Sequence, residues 1–429
     1  MVLLEPSRAC PKIGPRIHLG RPSCGIPGHG IGLFLCLSAM LAWPAWAEEA
    51  ADPSPKSPYF DARRQRTEYR GPEGPRVALD QISEVRIGYF GPSDASDPIH
   101  GRMWQAARAA VKRANEDGGY QGKPFRLLPV WSENPWGSGV KKLTQLVYEQ
   151  NVWAIVGGVD GPSTHLAEQV VTKARLPLIS PLSTDKTVNL ANVPWMFSLA
   201  PGDHRIAKAM IPSIIEVVAD KPFVIISGND HDSFLLTREL RKSLNRLTVV
   251  PEYQMLFGTS NRPENQVDEI VRKSLTAHPA AVVAIAGVKD SLQVVRRLRQ
   301  RGFDQPIFAG PRVGHHEFLE HIGPAAGDIR FPVLIEPSRL CVKDATCLEL
   351  IGDEPDYASL HTFDAVTLIV EAIRRGGLNR SAINRALREN SPRHGTSGRI
   401  HWDGLGGNTR EVRMGTVREG RVELFPNGT

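Results

Sequence analysis

Short apolar runs alternate with amphipathic stretches along the chain from Glu84 onward. The runs EVRIGYF, FRLLPVW, VWAIVGG and LPLIS are rich in β-branched and aromatic residues and predict strands. Between them, GRMWQAARAAVKRANE, SGVKKLTQLVYEQ and STHLAEQVVTKA carry apolar residues at helical spacing. This alternation predicts an α/β fold, in which parallel sheets have helices on both faces.

A second series of alternating strands and helices follows the segment PWMFSLAPGDH. It runs FVIISG, SFLLTRELRKSL, LTVVPEYQML, ENQVDEIVRKSL, AAVVAIAG, DSLQVVRRLRQRG, PIFAG, HHEFLEHIG and DIRFPVLI. Two helices, LHTFDAVTLIVEAIRRGG and RSAINRALREN, then precede the β-like GRIHWD and EVRMGTVREGRVELF. Two successive series predict two similar lobes, and the C-terminal ends of their strands are expected to face one cleft.

The N-terminus has the pattern of an export signal. A basic leader precedes the apolar run Ile31–Trp43, and Ala45 and Ala47 stand at the −3 and −1 positions of a cleavage site. The run is short for a membrane-spanning helix, which needs about 20 residues, so cleavage after Ala47 is favoured over an uncleaved anchor. Residues 1–47 are therefore predicted to be a signal peptide, and the proline-rich residues 48–82 a linker or arm, of a periplasmic protein.

Charge and cysteine content add further constraints. The formal charge of +6 is shared between the leader and the rest, and no basic stripe carries interleaved aromatics, so a nucleic-acid partner is not expected. Beyond the leader, Cys341 and Cys347 remain, and in an oxidising compartment they predict a disulfide that closes a small surface loop. Neither a metal site nor a cofactor is predicted, since no second Cys or His pair stands nearby at ligand spacing.

The segment GGVDGPSTH, residues 157–165, lies where a predicted strand gives way to a helix. A nucleophile elbow needs G-x-S-x-G, but His165 stands in place of the final glycine. A phosphate-binding loop needs G-x-x-x-x-G-K-[ST], a string that the chain lacks. Catalysis is therefore not predicted.

The same segment is suited to binding a carboxylate. The first amides of a helix lack internal partners and carry the positive end of its dipole. Ser163 and Thr164 add hydroxyls here, and Ser183 and Thr184 add more one βα unit later. Each hydroxyl taken singly is more typical of an N-cap, whereas two hydroxyl-rich strand ends together favour an anion site.

Two other polar motifs have simpler interpretations. HHEFLEH places His316 and His321 five residues apart, whereas a zinc-binding H-E-x-x-H helix needs a spacing of four. NDHD, residues 229–232, has groups that can ligate a cation, but it is more typical of a turn that caps the next helix. Asp230 of this turn is included among the predicted ligand-binding residues.

From about Arg86 to Phe425 the chain resembles the type I periplasmic solute-binding proteins of the branched-chain amino acid and amide transporters. The likeness rests on IGYFGP, ANEDGGYQGKPFRLL, IVGGVDGPST, LPLISPLSTD and FAGP. It implies two α/β lobes, each a parallel sheet flanked by helices, joined by three hinge crossovers and without enzymatic activity. The lobes are then expected to be residues 83–199 plus 336–398 and residues 200–335 plus 399–429.

The resemblance also implies a function and partners. A small solute, an amino acid, dicarboxylate or related acid, is captured between the lobes and delivered to an ABC permease in the inner membrane. The alternative is a periplasmic sensor or accessory subunit that signals to a partner, an interpretation that the long arm suggests.

Several residues match the binding positions of that family. Ser183 and Thr184 match the pattern that holds a ligand's α-carboxylate. Gly161–Thr164 match the preceding loop, although Gly161 stands where a serine is common. The segment GPSDAS, residues 91–96, matches the first loop that borders the cleft in that family, so Ser93 and Asp94 are expected to contact the ligand.

The chain also departs from the family in its second lobe and in the loop that carries Trp131 and Trp136. After FAGP, amino-acid binders usually carry an acidic residue that pairs the ligand's ammonium, and here that position is Arg312. Arg312 either points to solvent or faces the cleft, where it would repel an ammonium and favour an anionic or neutral ligand. Trp131 and Trp136 either stack on a planar ligand or, the favoured interpretation, pack their loop against the lobe.

Overall fold

The computed structural model describes residues 69, 71–74, 76–133, 135–190, 193–258, 265–336 and 355–425. The predicted signal peptide, most of the arm and the Cys341–Cys347 pair lie outside the described residues, so the leader, the arm and the disulfide stay predictions. Within the described ranges, no helix is both long and apolar enough to cross a membrane.

The first lobe is built on a six-stranded, fully parallel sheet. Numbered in chain order, its strands are β1 (Val85–Phe90), β2 (Phe125–Val130), β3 (Ile155–Gly157), β4 (Leu178–Ser180), β5 (Met196–Pro201) and β13 (Gly407–Asn408). They lie in the order β13-β5-β4-β3-β1-β2. The helices of this lobe are α1 (Gly101–Glu116), α2 (Val140–Tyr148), α3 (Gly161–Ala174), α4 (Lys186–Leu190), α10 (Tyr357–Gly376) and α11 (Arg380–Glu389).

The second lobe has a seven-stranded mixed sheet. Its strands are β6 (Phe223–Gly228), β7 (Tyr253–Phe257), β8 (Ala281–Ile285), β9 (Ile307–Ala309), β10 (Ile329–Val333), β14 (Arg413–Arg418) and β15 (Arg421–Leu424). The order is β15-β14-β10-β9-β8-β6-β7, and β14 and β15 are antiparallel to their neighbours. The helices are α5 (Asp203–Val218), α6 (His231–Arg246), α7 (Gln266–Leu275), α8 (Val288–Gln300) and α9 (His316–Ile322). Strands β11 (Arg393–Gly395) and β12 (Gly398–Ile400) form a separate hairpin.

Hydrophobic burial explains why these runs form central strands. Every residue of β6 and β8 is buried, as expected of parallel strands covered by helices on both faces. Helix α1 and strand β6 have the bounds that the apolar pattern predicts.

The chain passes between the two sheets three times, as predicted. It crosses between β5 and α5, again between β10 and α10, and finally between β13 and β14. Because Gly407–Asn408 pairs with β5, the last crossover falls after Asn408. The predicted boundary between residues 398 and 399 is therefore too early.

Helix α5 was not predicted from the sequence. Pro212 lies in its interior, where a proline removes a backbone hydrogen bond and argues against a helix. Its side chains Ile206, Met210, Ile214 and Val218 recur every four residues and are buried, so tertiary packing stabilises the helix despite the proline.

A buried arginine connects two of the crossovers. Arg410, which lies between β13 and β14, donates to the carbonyl oxygens of Leu334 and Ser397 and, at 2.7 Å, to Nε2 of His361. His361 donates from Nδ1 to the carbonyl oxygen of Pro181 at 3.0 Å. Burial, together with the charge of Arg410, lowers the pKa of His361 to about 3. This imidazole is therefore neutral in the folded protein.

Candidate functional site

The start of helix α3 meets a carboxylate from the opposite lobe. The amide of Gly161, the first residue of α3, donates to Oδ1 and Oδ2 of Asp232 at 3.0 and 3.2 Å. Asp232 lies in the first turn of α6 and is 6 % exposed. An anion thus already lies at the helix start that the sequence marks as an anion site, because free amides and the helix dipole stabilise negative charge there.

Arg312 holds the same carboxylate from its own lobe. Its Nη2 donates to Oδ2 of Asp232 at 2.5 Å. Burial lowers the pKa of Arg312, but the charges of several nearby groups, Asp232 foremost and then Asp230, together outweigh burial and leave the pKa above its ordinary value. Arg312 lines a cavity of about 70 Å³ between the lobes, together with Thr184 and Tyr357. Arg312 therefore borders the cleft, but its charge is balanced by Asp232, so the repulsion of an ammonium does not follow from Arg312 alone.

The predicted hydroxyls of α3 bond within their own helix cap. Asp160 accepts from the amide of Ser163 at 2.8 Å, and the Ser163 hydroxyl lies 2.5 Å from the same carboxylate. Thr164 donates to the carbonyl oxygen of Asp160 at 2.6 Å. Ser163, Thr164 and Ser183 are buried, and of the four predicted hydroxyls Thr184 is the one that lines the cavity. These contacts favour the N-cap interpretation for Ser163 and Thr164.

Ser93, Asp94 and Asp230 do not line this cavity. Ser93 and Asp94 are exposed, and Asp94 accepts from the amide of Ser96 at 2.9 Å. Asp230 is the N-cap of α6 and accepts from the amide of Ser233 at 3.1 Å, as the capping interpretation expects.

The remaining motifs have structural contacts. Trp131 packs against Phe90, with ring centroids 5.3 Å apart, whereas Trp136 is 56 % exposed. His316 bonds through Nδ1 to the buried carboxylate of Asp356 at 2.8 Å. For Trp131 these contacts agree with packing of its loop against the lobe.

Two further polar pairs join the lobes. Lys186 on α4 lies 2.7 Å from Glu239 on α6, and Arg102 on α1 pairs with Glu320 on α9. With the Gly161–Asp232 bond, these contacts define a closed arrangement. Pockets that hold drug-sized ligands are about 300–1,000 Å³, so a solute of that size enters only when the lobes separate.

A cluster of histidines also spans the cleft. His165 on α3 and His231 on α6 both place Nε2 within 3 Å of Oδ2 of Asp185, at 2.9 and 2.8 Å. Hydrogen bonds to Asp185 and Glu168 raise the pKa of His165 to about 9. The sequence does not connect these residues, because they belong to three separate βα units.

Asp232 is the main cleft residue that was not predicted from the sequence. It lies four positions beyond the end of β6, in the NDHD turn, where Asp230 is the predicted ligand-binding residue. Its place after a central strand was a usable signal, since the C-terminal ends of parallel strands border the ligand crevice.

The structure explains why residue 161 is a glycine. A Cβ at this position would lie 2.5 Å from Oδ1 of Asp232 and 2.8 Å from Cδ2 of His231. We expect Gly161→Ala to disfavour the closed arrangement by about 1–3 kcal/mol, because both opposing side chains must move. Small-angle X-ray scattering should then show a larger radius of gyration.

The matched control for this prediction is Gly287→Ala. A Cβ at Gly287, which precedes α8, would meet only an Asp290 oxygen, at 3.9 Å. An unchanged radius of gyration for Gly161→Ala, or an equal change in both variants, would contradict the prediction.

Comparison with known proteins agrees with this architecture. The chain is 23 % identical over 343 residues to an amino acid binding protein of Pseudomonas aeruginosa, covering 77 % of this chain and 89 % of that protein. The isoleucine complex of the branched-chain amino acid transporter substrate binding protein LivJ from Streptococcus pneumoniae has a TM-score of 0.70 and 22 % identity, covering 79 % and 98 % of the two chains. The leucine binding protein LivK from Thermotoga maritima has a TM-score of 0.70 and 19 % identity, covering 80 % and 98 %. Residues 84–421 match the family model described as periplasmic binding protein, and the chain belongs to that family.

Proposed function

We propose that this extracytoplasmic protein captures a small carboxylate-bearing solute between its lobes and delivers it to an ABC importer. The observation that carries the proposal is the Asp232 carboxylate, held at 3.0 Å by the amide of Gly161 and at 2.5 Å by Arg312. These donors form a carboxylate site, and a solute carboxylate competes with Asp232 for them when the lobes open.

The geometry also bears on the class of acid. When a solute carboxylate takes the donors, the displaced Asp232 carboxylate is available to pair with a solute ammonium. A zwitterionic amino acid satisfies both charges, whereas a dicarboxylate leaves Asp232 facing a second anion. The names of the similar proteins mention an amino acid, isoleucine or leucine. Each of these solutes carries both a carboxylate and an ammonium group. We therefore place amino acids ahead of dicarboxylates.

Thermal unfolding of the mature protein against matched acids and amides tests the proposal. The panel contains leucine and leucinamide, benzoate and benzamide, and a dicarboxylate. We expect one or more acids to stabilise the protein, by about 2.7 kcal/mol at a concentration 100 times Kd, and the paired amide to have no effect. Equal effects of acid and amide, or no binding by any acid, would contradict the carboxylate site.

Transport is tested separately in cells. Deletion of the gene is expected to abolish ABC-dependent uptake of the acid that binds, and re-expression to restore it. Unchanged uptake by cells that lack the protein would favour the sensor alternative over delivery to a permease.

A further inference from the structure

Three side chains from the two lobes converge beside the cleft. Nε2 of His165 and Nε2 of His231 lie 2.9 and 2.8 Å from the same oxygen, Oδ2 of Asp185. All three atoms lie within 4.8 Å of one another. His165 and Asp185 belong to the first lobe and His231 to the second.

Further contacts orient these groups toward one point. Nδ1 of His165 bonds to Oε2 of Glu168 at 3.0 Å, which directs Nε2 at Asp185. The amide and the hydroxyl of Thr187 donate to Oδ1 of Asp185 at 2.8 and 2.6 Å, which leaves Oδ2 for the two imidazoles. In protein metal sites, the ring nitrogen of a histidine that does not bind the metal commonly hydrogen-bonds to a carboxylate, and the carboxylate ligands are themselves hydrogen-bonded. Both kinds of contact are present here.

The ligand set matches a divalent transition metal. Two imidazole nitrogens and one carboxylate oxygen suit Zn²⁺ and similar ions better than Mg²⁺ or Ca²⁺, which prefer oxygen alone. Ligand bonds of about 2.0–2.1 Å place the atoms of a tetrahedral zinc site roughly 3.3 Å apart. The two nitrogen–oxygen separations, 2.9 and 2.8 Å, require an expansion of only about half an ångström. Because the side chain of His231 is 39 % exposed, solvent can reach a fourth position.

A second histidine cluster in the described residues is less suited to a metal. His315 and His316 face Asp356, but all three are buried. Oδ2 of Asp356 accepts from the backbone amide of His316, and Oδ1 accepts from Ser359 at 2.8 Å. That carboxylate serves as the cap of helix α10.

We propose that His165, Asp185 and His231 bind one Zn²⁺ or a similar divalent transition metal across the cleft and so stabilise the closed lobes. The metal takes the place of the protons on the two Nε2 atoms: a doubly protonated imidazole releases its Nε2 proton to solvent, and a neutral one carries its proton on Nδ1 instead. Water or a ligand atom of a solute completes the coordination. The site depends on both lobes, so it forms only when they close. Its existence does not depend on the solute proposed above.

Zinc titration of untagged mature protein, stripped with a chelator and studied near neutral pH without solute, tests the proposal. Isothermal calorimetry is expected to show one Zn²⁺ per chain, with proton release that depends on the buffer, and no comparable binding of Mg²⁺. His231→Gln should weaken binding by at least about tenfold, and Glu168→Gln, which removes the charge behind His165, by about tenfold or more. Zinc should also reduce the radius of gyration of the wild type but not of His231→Gln.

The matched control is His321→Gln, an exposed histidine of the second lobe outside the cluster. It should bind zinc as the wild type does. Absence of stoichiometric zinc binding would overturn the proposal, and so would equal loss or equal retention in His231→Gln and His321→Gln. Because His231 is partly exposed, circular dichroism is expected to show a folded variant, and Glu168→Gln gives a second, independent measurement.

Discussion

Arg312→Met is expected to open the cleft and to weaken binding of the preferred acid by at least about a hundredfold. In the closed arrangement Asp232 is nearly buried, and without Arg312 the amide of Gly161 is its remaining partner among the contacts described above. Removing one member of a buried ion pair costs about 3–5 kcal/mol. Separation of the lobes relieves this cost, because water then reaches the carboxylate. Hydrogen exchange at the start of α3 should therefore rise while global stability changes less.

A double variant separates closure from binding. Arg312→Met combined with Asp232→Asn removes the unpaired charge, and the asparagine oxygen can still accept from Gly161. We expect this protein to close again but to bind acids weakly, since the guanidinium is absent. Wild-type acid affinity in Arg312→Met, measured by calorimetry, would show that Arg312 has no part in solute binding.

Acid is expected to destabilise the folded protein well before its carboxylates titrate. His361 has a pKa of about 3 in the folded protein, whereas histidine in an unfolded chain has a pKa of about 6.5. Between these values the unfolded state binds more protons than the folded state. The contribution of His361 to the free energy of unfolding is therefore complete above about pH 6.5 and is lost as the pH falls. The loss is about 1.4 kcal/mol per pH unit, or about 3 kcal/mol between pH 7 and about pH 4.5. Urea unfolding across this interval measures it.

His361→Gln tests the origin of this slope. Glutamine can donate to Pro181 and accept from Arg410 but does not titrate, so the slope should decrease by about 1.4 kcal/mol per pH unit. His100 and His315, whose pKa values are also lowered by burial, are expected to account for part of the rest. His394→Gln, at an exposed position, is the control. An unchanged slope in His361→Gln would contradict the assignment.

Much of the secondary structure could be predicted from local pattern. Helix α1 and strand β6 coincide with their predicted spans, because apolar periodicity and burial report the same property. Helix α5 could not be predicted with its interior Pro212, since only packing against the second sheet shows that the helix persists. The short strand Gly407–Asn408 was missed for a related reason: its pairing with β5 joins residues about two hundred positions apart.

The candidate site was predicted in part. The start of α3, which the sequence marks as a place for an anion, holds the Asp232 carboxylate. The sequence leaves Arg312 open between solvent and cleft, and in the structure it borders the cavity. The sequence could not show that Asp232 balances Arg312, because each contact joins separate βα units. The role of these residues in binding a solute stays a prediction.

The sequence by itself determined the class of fold, the two series of βα units and the strand ends at which a ligand is expected, because hydrophobic periodicity and helix-start chemistry are local. Tertiary structure decided which charges meet. Gly161, Asp232 and Arg312 come together only when two sheets are joined by three crossovers and the lobes close. Electrostatic energy depends on the distance between charges in space, and separation along the chain does not set that distance.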